Sequence, residues 1–350
     1  MRPVDDAGFS LLAERIAGQT GLDVGAYKER CLRRRIAVRM RACGVTSYQD
    51  YVGLIDQRPG ELEALLDALT INVTRFFRNP ETWAALAAAP LPGLLAERPG
   101  RVRAWSAGCA SGEEPYTLAM LVADLPAPGG PPEQLARLHV DATDLDRASL
   151  VLAEEASYPE AAFSEADPAR VARWTEPAGQ GRRRVASVIR SAVHLTRLDL
   201  LREDPPASRY DLILCRNVII YFDRPTQDRL MERFATLLAP GGLLVLGKVE
   251  TILGPARQRF QLIEPRERIY RRAGCWRARS SSGWPSMRRG APTRCWSRSA
   301  WAAASPSRCM TPSGGWAGSR TSCCPRARSA ARRRIPAGFP RPRCRRWWRR

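Results

Sequence analysis

Residues 101–118 read RVRAWSAGCASGEEPYTL, an apolar segment, a run of small residues, and two carboxylates at the start of an apolar helical pattern. Residues 102–105 can pair in a sheet, and Ser106 to Gly112 offer so little side-chain bulk that a ligand can lie against the backbone. The loop lacks the G-x-G-x-x-G spacing of a dinucleotide site and the G-K-[ST] of a P-loop. Its Glu113 and Glu114 would repel a phosphate at a helix N-terminus. A cationic or hydroxyl-rich ligand is therefore expected, and S-adenosylmethionine fits, with a sulfonium, an ammonium, a ribose diol and no phosphate. The plainer alternative is an ordinary strand-to-helix turn in which the two carboxylates complement the helix dipole.

Outward from this stretch, strands and helices alternate. Strand patterns fall at 138–143, 192–196, 210–215, 242–246 and 268–271, and helical ones at 115–123, 147–156 and 226–238. Apolar strands separated by helices predict an α/β fold with a doubly wound, mainly parallel sheet covered on both faces. The alternation breaks between Tyr158 and Val193, where Val185, Val188 and Ile189 flank the turn Gly179-Gln180-Gly181. That predicts a small antiparallel β insertion, about residues 159–195.

The N-terminal 72 residues read instead as an all-α subdomain. Phe9, Leu12 and Ile16 form one helical stripe, Tyr27, Cys31, Leu32, Ile36 and Met40 a second, and Leu62, Leu65, Leu66 and Leu69 a third, opened by Pro59. The second helix also carries Lys28, Arg30, Arg33, Arg34, Arg35, Arg39 and Arg41, which suit either a solvated face or a docking surface for an acidic partner. Residues 73–100, with prolines between Pro90 and Pro99, read as hinge and linker to a ligand-binding domain over 101–271.

The net charge of +21 suggests nucleic acid at first sight. Its distribution argues against that partner for the body, and leaves a C-terminal Arg- and Trp-rich segment that grips nucleic acid or anionic lipid as the functional alternative. Residues 271–350 hold 21 Arg and no Lys, Asp or Glu, which leaves 35 basic and 35 acidic side chains in residues 1–270. The segment from 272 to 350 has no Leu or Val and one Ile, with six of the ten Cys and seven of the ten Trp. It reads as a disordered Arg-rich tail that cannot build a core. Arg without Lys, beside Ala, Gly, Pro, Ser, Trp and Cys, is also the composition of a GC-rich gene read in a shifted frame. The body's four Cys form no C-x-x-C pair and its two His lie far apart, so no metal site is expected. With no apolar run of transmembrane length, the expected setting is cytoplasmic, without membrane insertion.

Polar groups gather where strands of such a sheet end. Asp144 follows LHVDAT, where a carboxylate can accept both ribose hydroxyls, with Asp146 the weaker choice. The strand DLILC ends in Arg216 and Asn217 and continues as VIIYF through Tyr221. NVTRFFRN, residues 72–79, precedes the sheet and on its own reads as a capping turn with two core phenylalanines.

Together NVTRFFRNP, RAWSAGCASGEEPYTLAM, DATDLD, CRNVIIYFD and LLAPGGLLVLG resemble, in order and spacing over about residues 5–271, the CheR-type chemotaxis receptor methyltransferases. The resemblance implies a class I methyltransferase-like sheet and transfer of methyl from S-adenosylmethionine to glutamates of chemoreceptor cytoplasmic helices by a monomeric enzyme. It implies a cofactor pocket of Asn72, Thr74, Arg78, Glu114, Asp144, Asp199, Leu200, Arg216 and Asn217. Arg78 and Tyr221 are implied to face the reacting methyl, and the basic helix to contact the receptor. Two departures stand out. Lys248-Val249 replaces the family's His-Ser after the fifth strand, and Asp199 stands where many relatives have Asn. The Lys248-Val249 departure and the aberrant tail motivate an alternative, a non-catalytic module that senses adenosylmethionine and docks on a signalling partner.

Overall fold

The computed structural model describes residues 6–20, 22–69, 73–127 and 129–274. The predicted tail from 275 onward and Asn72 lie outside the described residues.

Four helices build the N-terminal domain: α1 (Asp6–Thr20), α2 (Glu29–Ala42), α3 (Tyr48–Gln57) and α4 (Glu61–Leu69). Leu12 and Ile16, Leu32, Ile36 and Met40, Tyr51 and Ile55, and Leu65 and Leu69 converge in one core, as stripes at helical spacing require. Ser47 caps α3 by accepting the Asp50 N–H. At the centre, Glu61 is 2% exposed and accepts both arms of Arg39 at 2.7 and 2.8 Å, with the Tyr51 hydroxyl at 2.7 Å. This donor set holds its carboxyl down at about 2.

Two short helices follow, α5 (Pro80–Ala88) and α6 (Pro90–Glu97). The expected linker over 90–99 is thus mostly a helix. Pro90 occupies its first turn, where no N–H is required, and Leu91, Leu94 and Leu95 drive it into the main core. The next domain runs β1 (Val102–Ala107), α7 (Glu113–Ala123), α8 (Gly130–Ala136), β2 (Leu138–Asp144), α9 (Arg147–Glu155), β3 (Ser157–Pro159), α10 (Pro168–Trp174), β4 (Thr175–Pro177), β5 (Arg182–Val185), α11 (Ser187–Arg190) and β6 (Val193–Arg197). It continues through β7 (Tyr210–Cys215), α12 (Arg224–Leu237), β8 (Leu238–Leu246), β9 (Phe260–Glu264) and β10 (Ile269–Arg272).

Seven strands form one sheet in the order β6-β2-β1-β7-β8-β10-β9, parallel from β6 to β8, with β10 antiparallel to both neighbours. Alternate residues serve opposite layers. Ala104, Leu212, Leu214 and Val245 join α7 on one side, and Trp105, Ile213, Cys215 and Leu244 join α12 on the other. The order turns outward on either side of β1 and β7, which opens a crevice at their C-terminal ends.

The predicted β insertion exists but is shorter at its C-terminal side. The three-stranded antiparallel sheet β3-β5-β4 covers residues 157–185, whereas α11 and β6 return to the main fold. Val193 pairs with Val140 of β2, and that parallel partner decides where the segment belongs. Tyr27 also departs from its expected place. It precedes α2, forms an isolated antiparallel bridge with Phe222, and stacks edge-on with that ring at 5.1 Å.

Candidate active site

The loop after β1 crosses the sheet's C-terminal edge in a conformation that dictates its composition. Gly108 has φ +84°, and a Cβ there would lie 2.5 Å from Val218 Cγ2. Gly112 has φ +93°, and its Cβ would meet that of Ala153 at 2.8 Å. Neither position admits a side chain. Of the two carboxylates beyond them, Glu114 lines the cleft, while Glu113 accepts the Ser111 hydroxyl at 2.8 Å and takes no part in the lining. Glu114 accepts the Ser106 hydroxyl at 2.8 Å and lies 3.5 Å from Arg216 Nη1. Burial pushes its carboxyl above the usual range, and Arg216 pulls it partly back.

Asp144 ends β2. One oxygen accepts the Ala110 N–H at 2.8 Å and the other the Asp146 N–H at 2.9 Å. The carboxylate so ties the small-residue loop to the adjacent strand end, and burial raises its pKa. Asp146 also lines the cleft, while its carboxylate caps α9 through Ala148 and Ser149. Asp199 and Leu200 flank the cleft beyond β6, where Asp199 accepts the Leu201 N–H at 2.9 Å.

Arg216 and Asn217 follow β7. Arg216 Nη2 donates to the Arg78 carbonyl at 2.7 Å and to Asn79 Oδ1 at 3.1 Å, and its guanidinium sits 5.1 Å from the centre of the Trp83 ring. Asn217 turns the chain at φ +62°. Its Oδ1 and the Nε of Arg216 are buried without a hydrogen-bond partner among the described residues, which leaves polar capacity at the cleft.

Of the capping turn with two core phenylalanines read from NVTRFFRN, the core part stands, whereas Asn79 precedes α5 without a side-chain cap bond and its Oδ1 accepts from Arg216 instead. Phe76 and Phe77 are buried in the core, while Thr74 and Arg78 line the cleft and Arg78 Nη1 donates to the Val73 carbonyl at 2.7 Å. Tyr221 lies across from them. It is gripped from the N-terminal domain, since its carbonyl accepts the Lys28 N–H at 2.8 Å and its ring carries the Arg35 guanidinium at 4.8 Å. Arg35 is consequently buried, with Nη1 donating to the Leu69 carbonyl at the end of α4. Arg33 is held by Asp6, Glu29 and the Phe9 ring, and Arg39 by Glu61. Half of the basic helix therefore serves the fold, and Arg30, Arg34 and Arg41 remain exposed on it.

All these groups face one cleft of about 660 Å³, which gathers Thr74, Arg78, Glu114, Asp144, Asp199, Leu200, Arg216, Asn217 and Tyr221. It also takes in residues that pattern reading passed over: Tyr27, Arg75, Arg147, Arg197 and Val218. Tyr27 was hidden inside an apolar stripe, and the arginines had no partner in sequence to mark them. Lys248 is absent from the lining. It pairs with Glu81 at 2.9 Å and Glu267 at 3.5 Å, and Val249 is 75% exposed, so the Lys-Val departure lies outside the cleft.

The cleft suits S-adenosylmethionine on its own evidence. A loop without side chains at 108 and 112 leaves room for the ligand's body, the half-buried Asp144 carboxylate can accept a diol, and Glu114 supplies anionic character for a cationic end. Residues 72–269 match the CheR methyltransferase SAM binding domain, and residues 7–70 the CheR methyltransferase all-alpha domain. The chain is 34% identical over 255 residues to a chemotaxis protein methyltransferase of Klebsiella aerogenes, covering 71% of this chain and 84% of that one. It is 34% identical to a probable chemotaxis protein methyltransferase of Rhizobium etli, covering 71% and 94%, and to chemotaxis protein methyltransferase 2 of Pseudomonas aeruginosa, covering 70% and 86%. With both domains matched in order around one adenosylmethionine cleft, the chain belongs to the CheR family of S-adenosylmethionine-dependent chemotaxis methyltransferases.

Proposed function

We propose that this chain is a protein-glutamate O-methyltransferase that esterifies glutamates on the helical cytoplasmic region of chemoreceptors, working as a cytoplasmic monomer. The observation that carries this reading is the character of the cleft's reacting end. Arg78 and Tyr221 line it, and the chain's only two histidines stack on each other at 4.2 Å on β2 and β6, away from it. Arg78 and Tyr221, with no histidine in the lining among the described residues, suit a substrate that arrives ionised. Glutamate does so, with a free pKa of about 4.3. None of the described helices is long and apolar enough to cross a membrane.

Bound S-adenosylmethionine supplies a sulfonium-activated methyl group. The protein's part is to hold the donor with Thr74, Glu114, Asp144, Asp199, Leu200, Arg216 and Asn217, and to aim the carboxylate with Arg78 and Tyr221. Methyl transfer to a carboxylate neutralises opposite charges, so orientation and exclusion of water carry the rate rather than proton transfer. A receptor cytoplasmic fragment incubated with labelled adenosylmethionine should acquire base-labile label that leaves as methanol. Cofactor binding without transfer in a single-turnover assay would instead identify a sensor.

Tyr221→Phe should lower kcat about 10- to 100-fold while adenosylmethionine affinity changes little, because the hydroxyl's charge-assisted bond to the carboxylate is lost. Arg78→Ala should lower both. If both variants methylate at the wild-type rate, neither side chain faces the reacting carboxylate.

Docking should fall to the exposed arginines of α2. Arg34→Glu with Arg41→Glu should raise KM for the receptor about 10-fold and flatten its salt dependence, without altering cofactor affinity. Arg39 is unsuitable for such a test, since reversing it would place a second negative charge against buried Glu61. An unchanged salt profile in the double variant would return this face to simple solvation.

A further inference from the structure

Glu250, four residues beyond β8, is 2% exposed and forms no ion pair among the described residues. A carboxylate taken out of water is costly unless its oxygens are satisfied, and here backbone groups satisfy them. Oε2 accepts the Gly247 N–H at 2.6 Å and the Asn217 N–H at 2.9 Å, and Oε1 lies 3.3 Å from the Ile220 N–H. The approach is possible because residue 247 is glycine. A Cβ there would stand 2.7 Å from Glu250 Oε2 and 2.9 Å from the Asn217 nitrogen.

Two of the three donors belong to the turn that leaves β7, the segment that aims Asn217 and Tyr221 at the cleft. Asn217 stands there at φ +62°, a left-handed conformation that asparagine adopts more readily than other non-glycine residues. Glu250 ties the turn together by accepting the N–H groups of both Asn217 and Ile220. Arg35, Lys28 and Tyr27 bear on the same turn from the N-terminal domain. Glu250 itself is absent from the cleft lining, so its influence on a bound group passes through these neighbours.

We infer that Glu250 is a positioning residue for methyl transfer, a carboxylate staple that fixes the turn of residues 216–221 so that Asn217 and Tyr221 meet the reacting groups. This rests on the roles assigned to those two residues above. The test separates the two claims by reading the turn directly.

Glu250→Gln keeps the shape but places an amide NH2 against one of the facing N–H groups, and Glu250→Asp withdraws the acceptor by one methylene. In both variants, amide hydrogen exchange in residues 216–221 should accelerate about 10-fold or more, with the rest of the chain unchanged. At saturating adenosylmethionine and receptor, kcat should fall about 10-fold or more while the receptor KM stays within about twofold, since the exposed face of α2 is untouched. S-adenosylhomocysteine affinity, read by calorimetry with no receptor present, should weaken about 10-fold through Asn217. Unaltered exchange in Glu250→Gln would overturn the staple. Accelerated exchange with unchanged kcat and unchanged S-adenosylhomocysteine affinity would overturn its role in positioning. A wild-type protein that methylates no receptor would count against glutamate as substrate, and the exchange and calorimetry would then decide the staple alone.

Discussion

Asp144→Ala should weaken S-adenosylmethionine binding about 100-fold, near the upper end of what the loss of charge-assisted hydrogen bonds accounts for. Two losses combine. The ribose diol loses its acceptor, and the loop from Gly108 to Gly112 loses the anchor that Ala110 N–H makes on Asp144 Oδ2. Asp144→Asn separates them, because its one remaining carbonyl oxygen can keep a backbone donor while the charge disappears. That variant should lose about 10-fold. The pH dependence has a defined sign. Burial raises the Asp144 pKa in the free protein, and the ionised form is the acceptor, so affinity should decline as pH falls through that raised value. Calorimetric titration decides it. A change below threefold in Asp144→Ala would remove Asp144 from the cofactor site.

Why Asp144 was legible in the sequence and Glu250 was not is a matter of chain distance. Asp144 ends an apolar strand, and strand ends at one edge of a parallel sheet must converge, so the position alone implies the cleft. The same holds for Arg216-Asn217 beyond β7, and Glu114 follows from the first turn of the helix that the loop after β1 opens. Glu250 works through backbone N–H groups of a turn 30 to 33 residues earlier, which no side-chain pattern reveals. The basic helix shows the opposite failure. Its seven cationic residues look alike in sequence, yet Arg33, Arg35 and Arg39 are consumed by Asp6, the Leu69 carbonyl and Glu61, partners brought in by the packing of α1 and α4. The linker over 90–99 misled for a local reason. Proline signals a break, but in the first turn of α6 it has no hydrogen bond to break.

Arg216→Met should be the most destabilising single change in the methyltransferase domain. Arg216 is buried, and three acceptors depend on it: the Arg78 carbonyl, Asn79 Oδ1 and Glu114. Removing one partner of a buried pair leaves the other charge uncompensated, at a cost of about 3–5 kcal/mol, or roughly 6–20 °C in Tm for a domain of this size. Glu114 sets the pH dependence. Its pKa is already raised in the folded protein by burial, and loss of the arginine raises it further, so the folded variant holds a proton that the unfolded chain, with a carboxyl near 4.3, releases. Stability therefore rises as pH falls from the raised value toward about 4.3, and the deficit of Arg216→Met against wild type should narrow as pH falls from the variant's raised value to the wild type's, below which both folded proteins hold the proton. Adding Glu114→Gln should recover most of the lost Tm at neutral pH by removing the stranded charge, while leaving the cofactor site without either group. Melting curves of both variants between pH 5 and 8 test the argument. A deficit independent of pH, and unrelieved by Glu114→Gln, would show that Arg216 stabilises the domain through the hinge carbonyl and the Trp83 face rather than through Glu114.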